Sequence, residues 1–184
     1  CRSFVKSGAA KLTVSGSNPF GGEVRVEQGT LALSGDGAFT GSPALTVQNG
    51  TTLDISAAGG ARGFGALSGG GSIVLGANTL QASSSASTTF GGSMSGAGGF
   101  TKSGTGLLTL TSAMAYTGAT AIDGGTLRLE GAGRLSSASP VSISSSGVLD
   151  LSAANGAREL ASLSGVSGGT VQLGANALAV GSDN

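Results

Sequence analysis

Histidine and tryptophan are absent from this chain, and cysteine occurs once, as Cys1. Without histidine the chain lacks the general base of a serine triad and the imidazole ligands of common zinc sites. With a single cysteine it forms no disulfide within the chain, so a secreted form would draw its stability from a long continuous core. We therefore predict no catalytic, cofactor-binding or metal-binding residue in this chain.

Charged residues are also scarce, at 10% of the 184 residues, with nine basic side chains against nine acidic ones. A nucleic-acid-binding protein presents a basic face, whereas the three lysines and six arginines are scattered here. We predict no nucleic acid partner. No apolar run approaches the ~18 residues of a membrane helix, and no signal peptide is present. We expect any export signal to lie outside this chain.

Glycine, in contrast, is abundant, with 36 residues in the chain, against ~7% in an average protein. Disorder is disfavoured because 39% of the residues are hydrophobic and the net charge is zero. Collagen is excluded because residues 107–111 (LLTLT) break the period of three that its glycines need. A β architecture with short strands and glycine-bearing turns remains.

An internal repeat organises the chain. The segments that match at an offset of 96 residues are 4–8 with 100–104, 29–33 with 125–129, and 53–58 with 149–154. The offset becomes 98 where residues 75–78 (LGAN) return as 173–176. We assign residues 1–99 to a first copy and residues 100–184 to a second, truncated copy of one continuous β-helix. We expect the chain to be a segment of a longer array.

Short apolar runs alternate with small or polar residues throughout, as in residues 12–14 (LTV), 24–26 (VRV) and 53–55 (LDI). Period-two alternation predicts strands with one buried face. A sandwich or barrel would also use such strands, but a repeat favours stacking of like on like, and large aromatics are few. We predict an all-β, right-handed, single-stranded β-helix (a β-solenoid) with coils of roughly 20–24 residues. Such coils give about four per copy and about eight in total.

The segment 100–129 (FTKSGTGLLTLTSAMAYTGATAIDGGTLRL) resembles the autotransporter-associated β-strand repeat, also called the passenger-associated transport repeat. The residues that carry the resemblance are Lys102, Gly104, Gly106, Leu108, Leu110, Tyr116, Thr117, Gly118, Thr120, Ile122, Gly125, Thr126 and Leu127. Residues 4–33 match more loosely. The resemblance implies a right-handed β-helix that a C-terminal outer-membrane barrel, outside this chain, exports to the bacterial cell surface. It further implies that progressive folding of the repeats aids secretion.

Three groups of residues merit consideration as sites. Residues 165–169 (GVSGG) fit the G-x-S-x-G pattern of a serine nucleophile, but the histidine base is missing, so a flexible loop is the better interpretation. Asp54 and Asp150 occupy equivalent strands about four coils apart, too far to act as a carboxylate pair. We interpret both as carboxylates at turns or coil edges. Arg62, Arg158 and Glu159 are interpreted as solvated edge charges.

Three functions are compatible with these features. The first is a structural stalk of a cell-surface passenger that supports secretion and adhesion. Its contacts with host surfaces, extracellular matrix or neighbouring cells would lie in other parts of the full protein. The second is a filament or surface-layer subunit that associates end to end. The third, a polysaccharide-active β-helix enzyme, needs a cluster of carboxylates that nine acidic residues scarcely allow. We favour the non-enzymatic stalk and an extracellular or cell-surface location.

Overall fold

The computed structural model describes residues 3–181, so Cys1 lies outside the described residues. Across this range the chain forms 25 short strands, numbered here in chain order, and no helix. A membrane-spanning helix is accordingly not found among residues 3–181. Every strand pairing that joins these strands is parallel, which is how successive passes of a solenoid stack.

The chain winds through three faces in turn, and one pass through the three is called a coil. Face 1 is a continuous sheet of nine strands. Its strands are β1 Ser3–Lys6, β4 Glu23–Val26, β7 Ala44–Val47, β10 Leu67–Gly69, β13 Thr88–Phe90, β16 Leu107–Leu110, β19 Gly125–Leu129, β21 Gly147–Asp150 and β24 Thr170–Gln172. Coils are numbered 1 to 9 by these strands.

Face 2 follows face 1 in each coil. Its main sheet holds β2 Lys11–Val14, β5 Thr30–Gly35, β8 Thr52–Ala58, β11 Ser72–Gly76, β14 Ser93–Gly96 and β17 Ala115–Tyr116. A separate pair, β22 Arg158–Leu160 with β25 Leu178–Val180, comes later in the chain. Since β22 lies between the face 1 and face 3 strands of coil 8, this pair belongs to face 2.

Face 3 completes each coil and is also split into two sheets. The first contains β3 Ser17–Pro19 and β6 Ala38–Thr40. The second contains β9 Arg62–Phe64, β12 Leu80–Ser83, β15 Phe100–Ser103, β18 Thr120–Ile122, β20 Val141–Ile143 and β23 Leu163–Gly165. Faces 2 and 3 are therefore interrupted once each, whereas face 1 is not.

The core is a set of side-chain ladders that run along the solenoid axis. Val24, Leu45 and Leu67 stand in register on face 1 and are at most 1% exposed. Equivalent ladders on faces 2 and 3 include Leu53 over Leu31 and Phe100 over Leu80. Each fully buried side chain of this kind contributes about 1.5–3 kcal/mol, so stability accumulates coil by coil.

The predicted β-solenoid is confirmed, with about nine coils rather than about eight. Successive partners on face 1 are separated by 19 to 22 residues, from the 19 between Leu108 and Leu127 to the 22 between Leu127 and Leu149. These spacings agree with the predicted coil length or fall just below it. The right-handed sense stays a prediction.

The two repeat copies are out of phase with the coils. The strand β1 of face 1 corresponds in sequence to β15 of face 3, and β2 of face 2 corresponds to β16 of face 1. An offset of 96 residues is thus four coils and two strands, not the four coils predicted. Equivalent residues of the two copies consequently lie on different faces of the rod.

Candidate functional site

The serine of the predicted nucleophile pattern, Ser167, lies in the turn between β23 and β24 and is exposed. Its neighbour Gly168 has a φ of +98°, a left-handed conformation that suits a turn. Across residues 3–181, no three His, Cys, Asp or Glu side chains lie close enough to hold a metal ion. Ser167 is thus an exposed turn residue in a sequence that contains no histidine to serve as its base.

Asp54 and Asp150 lie on strands rather than in turns, and the structure does not bring them together. Asp54 is on β8 of face 2 in coil 3, and Asp150 is on β21 of face 1 in coil 8. Five stacking steps of ~4.8 Å separate their coils by about 24 Å. A pair of catalytic carboxylates would need a separation of roughly 5–10 Å, so these two cannot act as one.

Each aspartate instead binds the serine two residues after it. The Asp54 carboxylate accepts hydrogen bonds from the Ser56 backbone N–H (3.0 Å) and from Ser56 Oγ (2.6 Å). Asp150 accepts the same two bonds from Ser152, at 2.9 and 2.6 Å. The shared sequence Asp-x-Ser thus builds one local motif in both copies, although the copies occupy different faces.

A cation of the same sheet completes each motif, from the adjacent strand β19 for Asp150 and from β2, two strands away, for Asp54. Arg128 Nε lies 2.8 Å from Asp150 Oδ2, with Asp150 almost fully buried, and Lys11 Nζ lies 3.2 Å from Asp54 Oδ2. Burial raises the pKa of each aspartate, but the hydrogen bonds from the serines and the nearby cations outweigh burial. Both pKa values therefore lie below the ordinary value, and both carboxylates stay ionised at neutral pH.

Arg62 and Arg158 are not solvated edge charges, and that interpretation is wrong: they are 9% and 8% exposed. Arg62 donates from Nε to the Gly37 carbonyl at 2.6 Å and from Nη2 to the Gly35 carbonyl, both on the coil below. Arg158 makes the same pair of bonds to the carbonyls of Gly133 (2.8 Å) and Gly131 (2.7 Å). Glu159, in contrast, is exposed as expected.

The Nη1 atoms of these arginines turn back to their own coil. Arg62 Nη1 donates to the carbonyls of Gly60 and Ala61, at 3.1 and 2.9 Å, and Arg158 makes the corresponding bonds to Gly156 and Ala157. Each guanidinium therefore bridges two coils at a corner where carbonyl groups converge. Its charge is compensated by carbonyl dipoles, since buried charges need such partners.

Lys6 and Lys102 form a second type of buried cation, at 5% and 2% exposure. The Lys102 ammonium donates to the carbonyls of Ser103, Gly104 and Gly124 at 2.9, 3.1 and 3.2 Å. Lys6 does the same with Ser7, Gly8 and Gln28. Burial lowers the pKa of Lys102 below its ordinary value. These lysines join a strand end to the next coil above it.

Tyr116, one of the residues that carry the family resemblance, heads a buried hydroxyl chain. Its Oη lies 2.6 Å from Thr120 Oγ1, which lies 3.1 Å from Ser139 Oγ, and Ser139 donates to the Gly118 carbonyl at 2.7 Å. Burial raises the pKa of the Tyr116 hydroxyl far above its ordinary value. This series of hydrogen bonds lies within the core and links coils 6 and 7.

Two shallow grooves lie beside the bridging arginines. The first, of about 280 Å³, runs between β6 and β9 and is lined by Phe39, Ser42 and Arg62 among others. The second, of about 430 Å³, is lined by the equivalent positions Leu135 and Arg158 and by Glu159. The arginines are already committed to carbonyls, so neither guanidinium is available to a ligand.

The sequence pattern had not marked Arg62, Arg158, Lys6 or Lys102 as buried. The available signal was strand alternation, because Lys102 lies two residues from Phe100, and Arg62 two residues from Phe64. Both partners face inward. Residues two apart on a strand share a side, which would have placed both cations in the interior.

Comparison with known proteins finds a match to one family model. The family model described as passenger-associated-transport-repeat matches three segments, residues 4–33, 28–55 and 100–129. No curated protein and no solved structure matches the chain. The matched segments begin at β1 on face 1, just before β5 on face 2, and at β15 on face 3.

Proposed function

Because the chain carries passenger-associated-transport repeats and folds as a β-solenoid, we propose that it is a stalk segment of an autotransporter passenger. In this role the rod holds other parts of the passenger away from the cell, and its folding outside the cell supports export. Adhesive contacts would belong to those other parts. End-to-end association of this segment stays a prediction.

The phase of the repeats supports this proposal most strongly. If the repeat motif encoded a binding face, its copies would be expected to line up on one side of the rod. Equivalent strands of segments 4–33 and 100–129, such as β1 and β15, lie on different faces instead. What these two segments share is local: a buried lysine that binds carbonyls (Lys6 or Lys102), an inward ladder and glycines at the corners. A motif that folds alike on different faces suits a scaffold.

The disposition of the charged groups also favours an architectural role over a catalytic one. Four of the basic side chains bind backbone carbonyls in the interior: Lys6, Arg62, Lys102 and Arg158. The aspartates on strands accept hydrogen bonds from a serine and pair with a cation. An active site would keep such groups poised for a substrate, with pKa values near the working pH. Here they join coils.

A display experiment tests the proposal. Residues 1–184 would be placed between an N-terminal epitope and an outer-membrane barrel, and epitope at the cell surface would be measured by antibody binding. We expect full display for the wild-type segment and several-fold lower display for Gly92→Ala, which blocks coil stacking as argued in the Discussion. Gly16→Ala is the matched control, because a Cβ at Gly16 meets nothing within 4 Å. Equal display from Gly92→Ala would reject a contribution of folding to export.

A further inference from the structure

The solenoid has two places where one face loses its strand pairing while the other two keep theirs. In the first, β6 pairs with β3 and β9 pairs with β12, but β6 and β9 do not pair with each other. Between the same coils, β4 pairs with β7 and β5 with β8. We call this interruption on face 3, between coils 2 and 3, the first break.

The second break has the same construction on a different face. On face 2 one isolated bridge joins Ala113 to Arg134, and another joins Gly131 to Ala154 of the next coil, but β22 begins a new sheet that pairs with neither segment. Face 1 stays paired through β19 and β21, and face 3 through β20 and β23. This break lies between coils 7 and 8. The two breaks fall at equivalent positions of the repeat.

What crosses each break is a long side chain in place of a ladder. At the first break the flanking backbone bonds are Gly59 N–H to the Gly35 carbonyl (2.7 Å) and Gly65 N–H to the Pro43 carbonyl (2.8 Å). Between them, Arg62 reaches from β9 to the carbonyls of Gly35 and Gly37. Arg158 does the same at the second break.

These two connections differ in stiffness. Ladder bonds between paired strands hold the backbones ~4.8 Å apart, whereas an arginine side chain has several rotatable bonds and can follow a changing separation while it keeps its hydrogen bonds. The grooves beside both arginines leave space into which the strands can move. Bending at a break would therefore use the two paired faces as the hinge and change the separation of the strands on the broken face.

We propose that each break is a built-in flexion point of the rod. The bridging arginine limits how far the strands on the broken face can move apart. The break lies on face 3 in the first copy and on face 2 in the second. The two flexion directions therefore differ by about one face of the solenoid. A further copy in the same phase would place its break on face 1, so three copies would let a stalk bend in every direction without a flexible linker.

Distances between paired spin labels test this proposal, in the full chain with Cys1→Ser. The test pair, Ser17→Cys with Thr101→Cys, spans four coil steps on face 3 across the first break. The matched pair, Gly63→Cys with Ser142→Cys, spans four steps on the same face between the breaks. Both spans are about 19 Å by stacking distance. We expect a clearly broader distance distribution for the test pair.

A third pair separates flexion from fraying of the first coil. Val5→Cys with Thr89→Cys spans the same coils as the test pair along the paired face 1. Fraying would broaden both distributions, whereas flexion at the break broadens only the one on face 3. Arg62→Met should broaden the test pair further and leave the face 1 pair unchanged. Equal widths for all three pairs in the otherwise unaltered chain would overturn the proposal.

Discussion

Replacing Gly92 by alanine should destabilise the solenoid by about 3 kcal/mol or prevent its folding, the range of severe overpacking. Gly92 lies at the corner between β13 and β14, directly above the preceding coil. A Cβ on Gly92 would overlap the carbonyl oxygen of Gly71 and press on the ring of Phe90. Because the obstacle is backbone, relief requires the two coils to separate.

At this corner, coil 5 cannot move away from coil 4 without losing hydrogen bonds. The neighbours of Gly92 are tied to the coil below, Gly91 N–H to the Gly69 carbonyl at 2.8 Å and Ser93 N–H to the Gly71 carbonyl at 3.2 Å. Any displacement that makes room for the methyl group therefore breaks bonds on both sides of it. Urea unfolding followed by circular dichroism measures the loss.

Gly16→Ala is the control for this prediction, because Gly16 also lacks a positive φ and has open space around its Cβ position. Its free energy of unfolding should stay within about 0.5 kcal/mol of the wild type, as for ordinary surface changes. A Gly92→Ala protein as stable as Gly16→Ala would show that coils 4 and 5 do not stack as described.

Replacing Lys102 by methionine should lower the free energy of unfolding by about 3 kcal/mol. Methionine keeps the length and apolar stem of lysine but donates no hydrogen bond. The carbonyls of Ser103, Gly104 and Gly124 then lose their shared donor at a site that is 2% exposed. Buried acceptors without partners cost about 1–3 kcal/mol each, less where water can reach them.

Lys11→Met serves as the control, since its side chain is 57% exposed and pairs with Asp54 at the surface. Exposed ion pairs contribute about 0–1 kcal/mol, so this variant should unfold at nearly the wild-type urea concentration. If Lys102→Met cost no more than Lys11→Met, the ammonium would not be the connector that the geometry indicates.

Much of the fold followed from the sequence because it is encoded locally. Alternating runs such as residues 53–55 became strand β8, and glycine-rich corners became turns. The same alternation would have placed Lys102 and Arg62 inside. Arg62 was interpreted as exposed because of its charge alone. A charged residue is seldom buried unless groups such as backbone carbonyls converge on it. That convergence depends on the coil below and is invisible in one strand.

The phase of the repeat could not be predicted for a related reason. It depends on the sum of several coil lengths, and these vary between 19 and 22 residues. One residue of error per coil shifts the next copy by most of a strand after four coils. Only the register, for example Leu45 beside Leu67 on face 1 and Leu80 beside Phe100 on face 3, fixes which face each motif occupies.

The most direct test of the central claim is cross-linking of outward positions in adjacent coils by a short bifunctional thiol reagent, in a Cys1→Ser background, with intact-mass detection. We predict efficient cross-links for Thr46→Cys with Ser68→Cys on face 1, Val74→Cys with Ser95→Cys on face 2, and Gln81→Cys with Thr101→Cys on face 3. The pair Thr46→Cys with Ser95→Cys, which joins two faces, should stay unlinked. Failure of the in-register pairs, or equal linking of the mismatched pair, would contradict the three-faced solenoid.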